Sequence, residues 1–316
     1  MNSTSECVFS SVPDVLNLAQ ENTTKFVQLC PSACLVVIGD GNPDLSGIGV
    51  NISYKMQLVF VYIFGPAFLL ASCFKAKSPS CGYIARLLAP LRDTFFDANA
   101  QFALGTFIAA AIRLSQQPSL YEMSCLMDLV RMQAFSLAAI IPQGGFFLPT
   151  GMIRRVLAAS YLVAGFLGML HSSMRIQPTR GPIMSLAHAC VNHVLPKPTS
   201  SLRILELYET SVFNVDMVLL MFVAFLMALP LLFDTRRNGH FFTSFSFLSS
   251  WWSLGCSCVS WYSLRQIERA RGEIQSLAGT EFQDNQWGYG QVLAVILWIP
   301  LSVQLLFNIV KTVFQL

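Results

Sequence analysis

Apolar residues gather into seven stretches along the chain, near 57–74, 100–112, 126–142, 156–170, 213–233, 242–264 and 287–310, with shorter polar segments between them. A bilayer core about 30 Å thick needs about 20 mostly apolar helical residues to span it, and fewer where neighbouring helices cover a polar end. The pattern therefore predicts an all-α protein: a seven-transmembrane-helix bundle over 55–316, preceded by a polar tail over 1–54. Within the tail, residues 11–34 have loosely helical spacing, and Gly39-Asp-Gly-Asn-Pro-Asp44 is dense in turn formers. A small luminal or extracellular cap folded over one mouth of the bundle is expected.

Composition agrees. Hydrophobic residues make up 54% of the 316 and charged residues 12%, with a mean hydropathy of +0.55; soluble domains carry about 25% charged residues. A net charge of +3, with no basic run or stacking-aromatic array, excludes nucleic acid as a partner. No basic segment precedes an apolar one in the first 50 residues, so the first span is expected to act as its own insertion signal.

Positive charge gives the bundle a direction. Residues 1–54 hold one base, Lys25, whereas Lys75, Lys77, Arg86 and Arg92 follow the first span; Arg154, Arg155, Arg236, Arg237 and Lys311 fall on the same side by alternation. Basic loops stay in the cytosol, so the tail is expected in the lumen or outside the cell, in the endoplasmic reticulum or plasma membrane. The outer segments 171–211 and 265–271 carry dissenting bases. Sequons at Asn2, Asn22 and Asn51 fit a glycoprotein with an outer tail, and such a compartment permits disulfides among Cys7, Cys30, Cys34, Cys125 and Cys190. Cys34 has Cys30, Cys125 and Cys190 as candidate partners.

Ionisable groups at membrane depth are the default functional candidates. Asp93 and Asp97, spaced i and i+4 at the expected start of the second span, share a helix face. They suit either a paired-carboxylate site for a cation or carbocation, or the N-terminal cap of the helix, which is preferred. Asp128 and Arg131 are expected to pair at i and i+3. Arg113, Asp128, Arg131, Asp216 and Gln291 all fall toward the tail side, which predicts a polar pocket opening under the cap. Asp128 or Asp216 would be the acid of any proton-initiated chemistry. The chain has no G-x-S-x-G, H-E-x-x-H, P-loop or dinucleotide signature and no zinc spacing, so neither cofactor nor metal is expected. Trp251, Trp252, Trp261, Tyr262 and Trp287 suit interfacial belts.

Two segments carry a resemblance. Gly41-Asn-Pro-Asp-Leu-Ser-Gly-Ile-Gly-Val50 with Ser53, Tyr54 and Gln57, and Trp287-Gly-Tyr-Gly-Gln-Val-Leu-Ala294, resemble signatures of fungal polytopic membrane proteins, some of them associated with secondary-metabolite pathways. The resemblance implies a membrane enzyme or accessory protein acting beside pathway enzymes on a lipophilic terpenoid or polyketide intermediate. Asp93-x-x-x-Asp97 resembles part of the magnesium motif of membrane prenyltransferases, with Ala89 where that motif has asparagine. A seven-span receptor or sensor and a small-solute transporter are the alternative readings.

Overall fold

The computed structural model describes residues 7–19, 23–74, 78–146, 152–193, 239–278, 282, 284 and 287–313. Every extended element among them is a helix, and there is no strand.

Four short helices build the cap: α1 (Val12–Leu18), α2 (Thr23–Leu29), α3 (Ala33–Ile38) and α4 (Pro43–Ser46). Two of them begin on clear local signals. Ser11 precedes α1, Pro13 and Asp14 stand in its first turn, and the Ser11 and Ser10 hydroxyls donate to Asp14 Oδ2 at 2.6 and 2.9 Å. These bonds favour the ionised form and hold the Asp14 carboxyl below its usual range. Asn42 caps α4 by accepting the Asp44 N–H at 3.1 Å, with Pro43 at the first helical position.

Between α3 and α4 the chain turns on Gly39 and Gly41, at φ +102° and +107°, backbone that favours glycine. Space forbids a side chain there as well. A Cβ on Gly39 would stand 2.5 Å from Ser119 Oγ, and one on Gly41 would stand 2.8 Å from Asp284 Oδ1. Disulfides Cys7–Cys30 and Cys34–Cys190 fasten the cap, the second to the bundle. Cys125 is a buried free thiol, so of the three partners open to Cys34 the structure takes Cys190.

The bundle follows as α5 (Ile48–Tyr62), α6 (Phe68–Phe74), α7 (Pro79–Ser115), α8 (Leu120–Phe146), α9 (Met152–His193), α10 (Gly239–Ala278), α11 (Tyr289–Ile296) and α12 (Ile299–Val313). Pro66 supplies no N–H, and the chain kinks between α5 and α6 at Gly65, whose φ of −83° and ψ of −107° leave the helical region. Four segments are long and apolar enough to cross a membrane: Ile48–Ser72, Pro79–Ser115, Leu120–Ile141 and Gly290–Lys311. The apolar stretches 156–170 and 242–264 lie within α9 and α10. The stretch 213–233, with Asp216, is outside the described residues.

Two polar segments between apolar stretches are more helical than their hydropathy suggests. The segment 75–99 is from Pro79 onward the first part of α7, and the outer segment 171–211 is α9 as far as His193. Hydropathy marks where a helix meets lipid, not where its hydrogen-bond ladder stops. At about 1.5 Å per residue, α7 runs about 55 Å, well beyond the apolar layer.

The helix α8 forms the centre. The most apolar stretch of Leu120–Ile141 is buried along its whole length. A line of small residues on α10 (Ser249, Ser253, Ser257, Ser260) is buried with it. Ser253 Oγ donates to the Ala139 carbonyl at 2.6 Å, and Ser260 Oγ to that of Met132 at 3.2 Å. Small residues let two backbones approach, and hydroxyls replace hydrogen bonds that lipid cannot offer. Ser253→Leu adds volume where none is spare and is expected to cost about 1–3 kcal/mol, read as a lowered Tm of the protein in nanodiscs; Ser260→Ala should cost about 0.6 kcal/mol.

The last span is held by Trp298, at the break between α11 and α12. It is fully buried, donates Nε1–H to Ser53 Oγ at 3.0 Å, and meets the rings of Phe60, Phe95 and Phe102 at 6.0, 6.3 and 5.7 Å. Trp251 and Trp287 are more than half exposed.

Candidate functional site

The cap does not seal the bundle. A half-open cavity of about 750 Å³ lies between it and the α7–α8 turn, within the volume usual for small-molecule sites, about 300–1,000 Å³. The cap contributes Val8, Phe9, Val12, Leu35 and Val36 together with Ser10, Ser11 and Ser32, whereas Asp40, Asn42, Arg113, Gln116, Ser119 and Glu122 come from the glycine hairpin, the α4 cap and the α7–α8 turn.

The polar wall is built around one ion pair. Arg113 closes α7 and Glu122 opens α8, so the tight turn between them brings the two side chains together. Arg113 Nη2 donates to Glu122 Oε1 and Oε2 at 2.9 and 2.7 Å, and Nη1 to Gln116 Oε1 at 2.8 Å. Asn42 Nδ2 donates to the same Glu122 from the cap side. Glu122 is 8% exposed and Arg113 43%. The pair thus ties cap to bundle while half of it faces water.

Behind the hairpin lies a second polar group. Asp284 is fully buried; its Oδ2 accepts from Tyr121 Oη at 2.7 Å and from Ser46 Oγ. Asp284 Oδ1 is buried without a partner among the described residues and faces the spot a Cβ of Gly41 would occupy.

The segments 41–57 and 287–294, singled out in the sequence, are neighbours in space. Gly49 N–H donates to Gln291 Oε1 at 2.8 Å, Ser53 Oγ to the Ala294 carbonyl at 2.9 Å, and a Cβ on Gly49 would be 2.6 Å from the Trp287 ring. A Cβ on Gly290 would be 3.1 Å from Asp44 Oδ1. Close backbone approach at the entry of the first and last spans accounts for the glycines. The role of Gln291 is therefore to hold these helices together rather than to line the cavity.

Of the other expected site residues that are described, Arg113 alone lines the cavity. Asp128 and Arg131 pair at 2.8 Å as the spacing predicts, at 1% and 6% side-chain exposure; they lie about 9–14 Å along α8 beyond Glu122 and outside the cavity wall. Asp93 and Asp97 open no helix, since α7 starts at Pro79. Asp93 accepts from Arg92 Nε and Nη2 at 3.0 and 2.8 Å, Asp97 is exposed, and both stand about 24–30 Å along α7 from Arg113. The pocket expected to unite Arg113, Asp128, Arg131 and Gln291 is thus not formed by these residues together. Asn51, offered as a glycosylation site, is 91% buried in α5 with its Nδ2 toward Glu268 Oε1 at 3.4 Å; an oligosaccharide has no room there. Asn2 and Asn22 lie outside the described residues.

Sequence reasoning missed Glu122, Asn42, Ser119 and Asp284. A signal existed for one: Arg113 and Glu122 flank Gln116-Gln117-Pro118, a helix–turn–helix spacing that places residues nine apart face to face. It also missed a buried amide cluster deeper in the bundle. Gln57 Nε2 donates to Asn99 Oδ1 and Gln133 Oε1 at 2.8 and 2.6 Å, and Gln133 Nε2 returns a bond to Gln57 Oε1 at 2.9 Å.

Among the described residues no group of three or more His, Cys, Asp or Glu side chains is placed to hold a metal ion. Comparison with protein-family models, with curated proteins and with solved structures found no match to this chain.

Proposed function

We propose that this chain is an integral membrane protein of seven spans, with its cap on the luminal or extracellular side, that binds an amphipathic or lipophilic small molecule in the cavity between cap and bundle. The cavity carries the reading: its volume, its half-open mouth and its mixed polar and apolar lining are those of a ligand site.

Chain continuity supports the span count. The helix α9 ends at the cap, where Cys190 meets Cys34, and α10 leaves the opposite end of α8, where Ser253 meets Ala139. The sequence between them contains the apolar stretch 213–233, which the seven-span reading counts as a span. Sidedness has two supports. Both disulfides involve cap cysteines, which suits an oxidising compartment. Arg154 and Arg155 stand in the first turn of α9 and Lys311 in the last turn of α12, the helix ends away from the cap, which suits the positive-inside rule.

Proton-initiated catalysis by Asp128 loses its support, because the carboxylate is committed to Arg131 and stands outside the cavity. Binding remains, and a lipophilic pathway intermediate fits it as well as a signalling ligand does. Ser10 lines the mouth and is exposed, so Ser10→Trp is expected to fill the entrance without disturbing the core. Native mass spectrometry of protein drawn from its own membrane should show a small molecule on the wild-type chain, reduced at least fivefold on Ser10→Trp. Equal occupancy in the two would remove the proposal.

A further inference from the structure

We propose that the outward face of α10, toward its cap end, binds an anionic phospholipid of the cap-side leaflet, with the phosphate on Arg265 and Arg269 and an acyl chain laid beneath it. The proposal is independent of the cavity and asks only that the bundle stand in a bilayer.

One stripe of α10 stays open along the helix: Trp251, Gly255, Cys258, Tyr262, Arg265 and Arg269 are all exposed. Steps of three and four residues put them on a single face, and the serines that pack on α8 lie on another, buried one. Ser253 meets Ala139 and Ser260 meets Met132, so the two helices run antiparallel in a fixed register. That register carries Arg265 to the level of Met127 and Arg269 to that of Met123. Arg271 agrees with it, since it donates to the Asp284 carbonyl at 3.4 Å while Tyr121 donates to the carboxylate of the same residue. Arg265 thus stands about 10 Å along α8 from Leu120, where that apolar span begins.

An arginine facing outward at that depth is costly in hydrocarbon unless its head reaches a polar partner. Among the described residues neither Arg265 nor Arg269 forms an ion pair. Glu268, between them in sequence, is held by Lys55 at 2.6 Å, and Arg269 Nη1 reaches the Gln266 amide oxygen at 3.4 Å. Gln266 Nε2 in turn donates to the Tyr262 hydroxyl, which keeps its own proton to donate. Two guanidinium groups and a phenol on one face are what the oxygens of a phosphate accept from, in charge-assisted bonds that arginine makes two at a time. The same two arginines are among the bases that run against the positive-inside pattern, and a headgroup to bind gives them a reason to stand there. Their two positive charges favour a headgroup of net negative charge over a zwitterionic one.

Below the arginines the stripe changes character. Gly255 and Cys258 lie between Trp251 and Tyr262, which are 58% and 47% exposed, and the place of a Gly255 Cβ is open space. Two small residues between two large rings leave a notch along about 16 Å of helix, in line with the charges above it, as an acyl chain requires. A second copy of this chain fits the face poorly. A two-fold axis along the bilayer normal would set Arg265 and Arg269 against their own copies, and like charges repel.

Native mass spectrometry of the full-length protein tests the proposal, with the protein released from nanodiscs of equal phosphatidylserine and phosphatidylcholine carrying the same chains. The wild type is expected to retain phosphatidylserine over phosphatidylcholine by at least fivefold. Arg265→Gln/Arg269→Gln, with a Tm matching the wild type because both side chains are exposed, should bring that ratio to within twofold of one. Lys311→Gln, which removes a base at the opposite end of the bundle, should leave it unchanged. Gly255→Leu fills the notch and should lower the retained phosphatidylserine several-fold. A wild-type ratio near one, or a preference that survives the double glutamine variant, overturns the proposal. So does a dimer that Gly255→Leu abolishes, because the face then belongs to a second copy.

Discussion

Arg131→Ala is expected to destabilise the bundle by about 3–5 kcal/mol, because it leaves the Asp128 carboxylate charged and buried without its guanidinium. Asp128 is 1% exposed on a helix whose most apolar stretch is buried throughout, so water cannot substitute for the lost partner. The comparison that matters is with the double variant Asp128→Leu/Arg131→Met. Replacing both members of a buried pair by apolar groups of similar size removes the desolvation cost along with the attraction, and is often neutral or stabilising. The double variant is therefore expected near the wild-type Tm and the single variant far below it. If Arg131→Ala melts with the wild type, the pair faces water and α8 is not the central helix.

Removing the Cys34–Cys190 bridge is the other large change. It joins cap to bundle across 156 residues of chain, whereas Cys7–Cys30 closes 23. In the loop-entropy picture the longer closure stabilises more, by about 1.5–2 kcal/mol between these lengths, within a usual range of about 2–5 kcal/mol per bridge. Burial points the same way: Cys34 is 1% and Cys190 0% exposed, so serines there also strand hydroxyls in an apolar site. The Cys34→Ser/Cys190→Ser variant is expected to release the cap, read as rapid proteolysis within residues 7–46. The Cys7→Ser/Cys30→Ser variant should be cut more slowly. Cleavage in the reverse order would mean that the cap is held by its own packing and not by α9.

These effects show where the sequence was legible. Four of the apolar stretches fall in helices long and apolar enough to cross a membrane, because the cost of burying backbone and charge in lipid is written residue by residue. Helix length was not legible. The signal that ends an apolar stretch, charge at Arg92 and Asp93, has no bearing on the α7 ladder, which continues to Pro79. The Asp128–Arg131 pair followed from helical spacing alone. The cavity did not, because its decisive acid, Glu122, stands in the first turn of α8 and looks like any residue that complements a helix dipole. Asp284 stands in a polar stretch just before the last apolar one, and only the fold brings it under Gly41. The paired motifs were visible as words, while their meaning, two chain segments pressed backbone to side chain at Gly49 and Gln291, required the third dimension.

The cavity is the central claim, and a cryo-EM map of the full-length protein in nanodiscs formed from its own membrane tests it most directly. The account predicts density between the cap and the α7–α8 turn that belongs to no side chain, in contact with Arg113 and Ser119, with the cap ordered over it. A cap collapsed onto α7 and α8, with Val8 and Phe9 filling the space and no further density, would contradict it.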